Sequence, residues 1–167
     1  MLTALGTRRA RLLAATVVIA TLTTGCFAAA STSVGRQVGL PASGATRQLY
    51  DLVNQSRAQH GLPRLAWNNQ LGGLAADWSD HMAATGRFAH RDLRATMATA
   101  EYSSFSRLGE NILVGSCGTR AQDMQNAFMN SPSHRANILS SGFNVVGIGV
   151  TCSGDGRVWV TQNFGRR

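Results

Sequence analysis

The chain has 167 residues, which suits one globular domain behind an N-terminal export segment and leaves little room for two domains. Its 16 basic residues are all arginine and outnumber eight acids, which gives a formal net charge of +8. Because the arginines are scattered rather than gathered on one face with aromatic residues, the composition argues against nucleic-acid binding. It fits a general attraction to anionic cell-envelope polymers or lipid headgroups.

Residues 1–25 are interpreted as a signal peptide. Three arginines in the first eleven residues precede an apolar run, residues 12–22, that is too short to span a bilayer. Two cleavage points compete, because Thr23–Cys26 resembles a bacterial lipoprotein box whereas Ala28–Ala30 fits ordinary signal peptidase. We therefore expect an exported protein, either a cell-envelope lipoprotein anchored through Cys26 or a secreted protein, with membrane contact only through that anchor.

Residues 26–44 follow the signal peptide and are small and polar, with glycine and proline among them. Such a composition cannot build a core, so it predicts a flexible tether. The folded domain is expected over residues 45–167, a length that can bury a sizeable core.

The three cysteines are an odd number, which needs an explanation in an exported protein. If Cys26 is acylated or removed, Cys117 and Cys152 remain as a disulfide pair that closes a long loop. The alternative is that Cys117 and Cys152 are free, buried thiols.

Two helices open the domain. The first carries an apolar stripe at Leu49, Leu52 and Val53, and should end at His60–Pro63, where glycine favours a left-handed cap and proline forbids continuation. The second should begin near Asn68 or Asn69 and run to about Thr85, with a core face of Leu71, Leu74, Ala75, Trp78 and Met82. His60 is interpreted as a partner of the helix dipole, and His81 as a packing or solvent-exposed residue.

The second half predicts a small sheet. After an irregular stretch that ends near Leu108, Gly109–Asn111 should lead into a short buried strand at Ile112–Val114. A helix over residues 120–130 comes next, and the chain finishes with two strands, Phe143–Cys152 and Arg157–Phe164, joined by a glycine-rich turn. Helices first and a terminal antiparallel hairpin point to an α+β fold in layers.

The stretch from Ser131 to Leu139 predicts a further helix start. Ser131 is a favourable N-cap residue and Pro132 a favourable first helical residue. His134 follows three residues after the cap, where the positive end of the helix disfavours an imidazolium. The ring of His134 is therefore expected to stay neutral and able to bind a metal or accept a proton.

Three motifs with polar chemistry occur in a fixed order: Phe88–His90, Gly109–Ile112 and Ser131–Leu139. With Val146–Val150 and Trp159–Phe164 behind them, they resemble the CAP superfamily in its bacterial, SCP-like form. This superfamily includes cysteine-rich secretory proteins, insect antigen 5 and plant pathogenesis-related proteins. The resemblance covers residues 48–165 and implies a three-layer α-β-α sandwich with a small, mainly antiparallel sheet.

The resemblance also implies a cleft in which two histidines and acidic residues converge, and in which some members hold a divalent metal. On this chain the histidines would be His90 and His134, and the acid would be Glu110. The second acid of eukaryotic members has no counterpart, because Ser131 stands at that place, and this puts a two-carboxylate hydrolytic scheme in doubt. Two imidazoles can bind a divalent cation such as zinc, with Glu110 as a third ligand or as a brace for a ring or a bound water.

Three classes of function fit these residues, one of which is a structural or partner-binding protein whose cleft is vestigial and whose polar cluster only pins the surrounding loops. Another is an exported, monomeric binding module whose cleft, containing His90, Glu110 and His134, holds a divalent metal or a small ligand. A lipid-like ligand is implied only through lipid-binding relatives of the family. The alternative is a metal-assisted hydrolase that acts on peptides or cell-wall polymers, for which the same three residues are the catalytic candidates.

Overall fold

The structure is a computed structural model that describes residues 44–167. The predicted signal peptide, the lipidation site at Cys26 and nearly all of the predicted tether lie outside the described residues. Five helices and four strands form this part of the chain, and in chain order they are α1 (Gly44–Gln59), β1 (Ala66–Trp67), α2 (Asn69–Thr85), α3 (Leu93–Met97), β2 (Arg107–Ser116), α4 (Ala121–Asn130), α5 (Pro132–Ile138), β3 (Val145–Cys152) and β4 (Arg157–Arg166).

The strands form one mixed sheet in the order β1-β3-β4-β2. The pairs β3–β4 and β2–β4 are antiparallel, whereas β1 pairs parallel with β3 through Ala66 and Trp67. Helix α2 covers one face of the sheet, and α1, α4 and α5 lie on the other. The predicted α+β class and the α-β-α sandwich are therefore confirmed.

Successive side chains of β3 point alternately to the two faces of the sheet. Val146 and Ile148 enter the main core with Leu49 and Val53 of α1 and Phe128 of α4. Gly147 and Gly149, which alternate with these residues, face α2, and a Cβ atom on either would collide with the α2 backbone. Glycine here lets the helix approach the sheet closely, which the sequence signals only as a Gly-Ile-Gly pattern.

Helix boundaries follow the predicted local signals closely. The side chain of Asn68 accepts a hydrogen bond from the Leu71 N–H and caps α2. The C-terminal end of α2 is closed by Gly86 in the left-handed conformation, and α1 is followed by Gly61, which also has positive φ. The C-terminal ends of α1 and α2 therefore agree with the predicted bounds to within a residue.

The strand predicted at Ile112–Val114 is too short, and Gly109–Asn111 does not form a loop in front of it. β2 runs over Arg107–Ser116 and pairs with β4 along its whole length. The polar residues of this strand are typical of loops when only the sequence is considered. In the structure, their side chains form hydrogen bonds with partners outside the strand. The two-residue strand β1 was not predicted, because two residues cannot display a period of two.

Ser131 is the N-cap residue of α5, but its side chain makes no capping hydrogen bond. The predicted N-cap position is confirmed, but the side-chain hydrogen bond that a capping serine normally accepts is absent. Ser131 also ends α4, where its N–H donates to the carbonyl of Phe128, and its hydroxyl lies 3.4 Å from that of Ser133. The backbone of Ser131 therefore forms the junction of the two helices.

Candidate functional site

Glu110 lies on β2 with only 6 % of its surface exposed. Its Oε1 atom accepts a hydrogen bond of 2.8 Å from Nδ1 of His90 and one of 3.0 Å from the backbone N–H of Arg91. Among the described residues, the second carboxylate oxygen, Oε2, is buried without a hydrogen-bond partner. Glu110 therefore fixes the His90 ring from one side and offers a free acceptor on the other.

Burial raises the pKa of the Glu110 carboxyl above its ordinary value of 4.5. The hydrogen bonds from His90 and Arg91 act in the opposite direction and favour the carboxylate. The carboxyl group thus sits between two opposing effects, of which desolvation is the larger.

The next residue, Asn111, points to the opposite face of β2 and is fully buried. Its Nδ2 donates to the backbone carbonyl of His134 at 3.1 Å and to Oε1 of Gln162 at 3.0 Å. Its Oδ1 accepts from Nδ2 of Asn137 at 2.9 Å, and Asn137 also donates to the backbone carbonyl of Glu110. This amide network ties the start of α5, and with it His134, to β2.

The His134 ring is partly buried against the edge of Phe128, with 5.3 Å between ring centroids. Burial lowers the pKa of the imidazole, and the charge of His90 lowers it further. The expected neutral ring is thus supported, although its causes are desolvation and the second histidine. In the described part of the chain, neither nitrogen of the ring has a hydrogen-bond partner.

Glu110 holds the His90 ring on one face of the sheet, and Asn111 holds the backbone carbonyl of His134 on the other. In the described sheet β2 is an edge strand, so groups on its two faces can meet around its free edge. The electrostatic effect of His90 on His134 reflects this proximity. Among residues 44–167, however, no three His, Cys, Asp or Glu side chains are arranged to hold a metal ion.

Asn163 is a site residue that the sequence analysis did not single out. It lies directly across from Glu110 in the β2–β4 ladder, is 1 % exposed, and neither polar atom of its side chain has a partner within the described chain. Its cross-strand position puts its amide on the same face as the Glu110 carboxyl. The available signal was the polar run Thr161–Asn163 inside an otherwise apolar strand.

The two other histidines of the chain have the structural environments that were expected. His60 Nδ1 donates to the carbonyl of Ser56 at 2.8 Å, and Arg135 donates to His60 Nε2 at 3.1 Å, so both ring nitrogens are occupied. His81 stacks on Trp78 with 4.7 Å between ring centroids.

Cys117 and Cys152 form a disulfide across 35 residues of sequence, as predicted. The alternative of two free thiols is wrong. Cys117 follows β2 and Cys152 ends β3, so the bond lies at the end of β2 away from Glu110.

Sequence and structure comparisons point to one family. The profile of the CAP family, the cysteine-rich secretory protein family, matches residues 50–164. The membrane protein YlbC of Bacillus subtilis is 29 % identical over 126 residues, which are 72 % of this chain and 34 % of YlbC. This chain therefore spans about a third of the length of that relative.

Solved structures share the fold. An extracellular protein of Bacillus anthracis that contains an SCP domain is 30 % identical, with a TM-score of 0.62 over 74 % of this chain and 41 % of that one. NaASP2, solved with Zn2+, has a TM-score of 0.55 at 14 % identity over 75 % of this chain and 83 % of its own. That level of identity shows a common fold alone. No helix in residues 44–167 is long and apolar enough to cross a membrane.

Proposed function

The chain belongs to the cysteine-rich secretory protein (CAP) family, and from this premise we propose that it is an exported binding module. Its histidine cleft, formed by His90, Glu110 and His134, would hold a divalent cation such as zinc. The observation that carries this proposal is the hydrogen bond of 2.8 Å between Nδ1 of His90 and Oε1 of Glu110.

That hydrogen bond selects the donor atom for a metal. With Nδ1 engaged by Glu110, Nε2 of His90 is left as the ligand, and a carboxylate on the far nitrogen makes an imidazole a better one. The ring of His134 has a depressed pKa, so it stays neutral and keeps a lone pair at neutral pH. Glu110 would thus act as the brace of His90, and its second oxygen, Oε2, is buried without a hydrogen-bond partner among the described residues.

The donor set favours binding over hydrolysis. Hydrolytic zinc sites hold their metal through three protein ligands and leave one position open. The histidine cleft supplies two imidazoles, and in the described residues no third side chain completes such a set. The fold neighbour NaASP2, solved with Zn2+, supports the view that this fold is compatible with zinc.

Export is supported by the arginine-led apolar N-terminus and by the extracellular relative from Bacillus anthracis. Two forms of the mature N-terminus are compatible with export: a lipid anchor on Cys26 and a free N-terminus near Ser31. Mass spectrometry of the N-terminal peptide from the native host decides between them. A diacylglyceryl mass on Cys26 supports the anchor, whereas an unmodified peptide that begins at Ser31 overturns it.

Calorimetric titration of the purified protein with zinc at neutral pH tests the metal proposal. We expect saturable binding that is lost in His90→Ala and in His134→Ala. Glu110→Gln should weaken it by about tenfold, because the variant loses the charge that strengthens the His90 ligand.

The matched control is His60→Ala, since both nitrogens of that ring are already occupied by Ser56 and Arg135. The control should bind zinc like the parent protein. Absence of saturable heat in the parent, or equal loss in His60→Ala, would overturn the proposal.

A further inference from the structure

Two buried side chains that face each other across the sheet carry polar atoms without partners. Glu110 of β2 and Asn163 of β4 are paired in the antiparallel ladder, and they are 6 % and 1 % exposed. Within the described chain, Oε2 of Glu110 and both polar atoms of the Asn163 side chain form no hydrogen bond. Because a buried polar group without a partner destabilises the fold, three such atoms at paired positions need an explanation.

The other neighbours of Asn163 on the same face of the sheet offer no partner. Gly147, its partner on β3, and Gly165, two residues further along β4, have no side chain. Thr161, two residues in the other direction, already accepts a hydrogen bond of 2.9 Å from a serine of α2. Among these four neighbours, only Glu110 has a side-chain atom without a partner.

Apolar side chains and helix backbone fill the space on two sides of Asn163. A Cβ atom on Gly165 would lie 2.8 Å from the Phe105 ring and 2.9 Å from the side chain of Leu71. A Cβ atom on Gly147 would collide with the backbone of α2. The amide of Asn163 is thus sealed from these directions, and a partner for it must lie on the side of β2.

The free atoms of Glu110 and Asn163 are chemically complementary. A carboxylate oxygen only accepts hydrogen bonds, whereas the amide has a donor, Nδ2, and an acceptor, Oδ1. Paired positions place the Cβ atoms about 5 Å apart, yet the two side chains are not directly hydrogen-bonded. One water molecule suits such a gap, because it can donate to Oε2 of Glu110 and accept from Nδ2 of Asn163.

We propose that Asn163 is a positioning residue of the histidine cleft, which holds Oε2 of Glu110 through one buried water molecule. The other oxygen of this carboxylate, Oε1, accepts from Nδ1 of His90 at 2.8 Å. A carboxylate held at both oxygens cannot rotate, so it presents Oε1 to His90 in one orientation. The Nδ1–H tautomer of His90, which leaves Nε2 free, therefore depends on Asn163. This inference rests on the proposed function only where it concerns zinc.

The test measures which ring nitrogen of His90 carries the proton. Long-range 1H–15N NMR spectra of the metal-free protein give this at about pH 8, where imidazoles are neutral. In the parent protein we expect the proton on Nδ1. Asn163→Ala and Asn163→Leu remove the amide, so both should shift the proton of His90 toward Nε2.

Asn163→Ser distinguishes polarity from packing. Serine is nearly as small as alanine, but its hydroxyl can still bond the water, so this variant should keep the tautomer of the parent protein. A role in packing alone predicts the reverse order, with Asn163→Leu close to the parent and Asn163→Ser as damaging as Asn163→Ala.

Thr161→Val is the matched control. It removes the buried hydrogen bond with Ser79 from the same face of β4 but leaves Glu110 unchanged, so the His90 tautomer and the zinc affinity should not change. Asn163→Ala should raise the zinc Kd by about threefold, less than Glu110→Gln does, because Asn163 acts through one more contact. If the parent protein binds no zinc while the tautomer responds as expected, the metal proposal is overturned and this inference is supported.

A crystal structure of the parent protein should show an ordered water within about 3.2 Å of both Oε2 of Glu110 and the Asn163 amide. The inference is overturned if no water bonds both side chains. It is also overturned if the His90 tautomer is unchanged in both Asn163→Ala and Asn163→Leu, if Asn163→Ser loses it as fully as Asn163→Ala, or if Thr161→Val changes it equally.

Discussion

The two ends of strand β2 are held by different means. At the C-terminal end, Cys117 is covalently joined to Cys152, and its N–H donates to the carbonyl of Gly156 at 2.7 Å. In the N-terminal half, Glu110 and Asn111 hold the surrounding segments only through side-chain hydrogen bonds to His90, Arg91, His134 and Asn137. The covalent end carries no candidate chemistry, whereas the hydrogen-bonded end carries His90, Glu110 and His134, the residues of the proposed metal site.

This difference means that one end of β2 contributes to stability alone, whereas the other end contributes to stability and to the candidate site. A disulfide limits the unfolded chain and contributes to stability without shaping a distant cleft. Buried amides and carboxylates contribute to stability and also shape the site. Removing one of them leaves its hydrogen-bond partners unsatisfied and frees the chain segment that it positioned. The two ends should therefore respond differently to substitution.

Removing the disulfide tests the covalent end and should give the largest effect. For Cys117→Ser with Cys152→Ser we expect the free energy of unfolding to fall by about 4 kcal/mol, the loop-closure effect for a separation of 35 residues. Urea denaturation measures this loss. Zinc affinity of the folded variant should equal that of the parent, and a weakened affinity would contradict the separation of the two ends.

Asn111→Ala tests the hydrogen-bonded end. It leaves the carbonyl of His134 and the amides of Asn137 and Gln162 without their partner, so we expect a loss of about 2–3 kcal/mol. Unlike the disulfide variant, the folded protein should also bind zinc less tightly, because the start of α5 is no longer fixed. Asn130→Ala at the exposed end of α4 is the control, with an expected change below about 0.5 kcal/mol and no effect on zinc. Equal zinc affinity in Asn111→Ala and in the parent would show that the network does not position His134.

The covalent end was easier to predict from the sequence than the hydrogen-bonded end. Cysteine counting identifies the pair Cys117–Cys152, because few combinations exist. The helix ends at Asn68 and Gly86 could be predicted equally well, because capping depends on residues that are close in sequence. The family resemblance supplied His90, Glu110 and His134 as candidates, and the structure then showed how Glu110 and His90 are bonded.

What the sequence could not reveal depends on partners that are distant along the chain. Glu110 and Asn111 have the polar side chains typical of a loop, because polar residues rarely occupy a buried strand. Their contacts with residues 19 to 51 positions away make that placement stable. Asn163 was missed because its position opposite Glu110 follows from strand register.

Glu110 and His134, on the two faces of the hydrogen-bonded end, should change the folding stability with pH in opposite directions. The variant Glu110→Gln tests the first of these two effects. Since burial raises the pKa of Glu110 above 4.5, the folded state keeps its proton to higher pH than the unfolded state does. The stability that this group contributes is complete below about pH 4.5 and is lost as the pH rises through the folded pKa. The amide in Glu110→Gln still accepts from His90 and never ionises.

In metal-free buffer, the unfolding free energy of Glu110→Gln relative to the parent should therefore increase as the pH rises from about 4 to 7. Urea denaturation at a series of pH values measures this difference. A difference that stays constant over the range would show that the Glu110 carboxyl has the same pKa in both states.

His134 should produce a smaller dependence of opposite sign, because its ring is only partly buried. Its pKa is lowered by burial and then by the charge of His90, so the unfolded state takes up a proton before the folded state does. The contribution of His134 is complete above about pH 6.5 and is lost as the pH falls through the folded pKa. His134→Gln should remove this acid-side loss, and His90→Gln should reduce it in part by removing the second cause. If His90→Gln left the acid-side slope unchanged in the same metal-free titration, the two imidazoles would not interact, and one cation could not be shared between them.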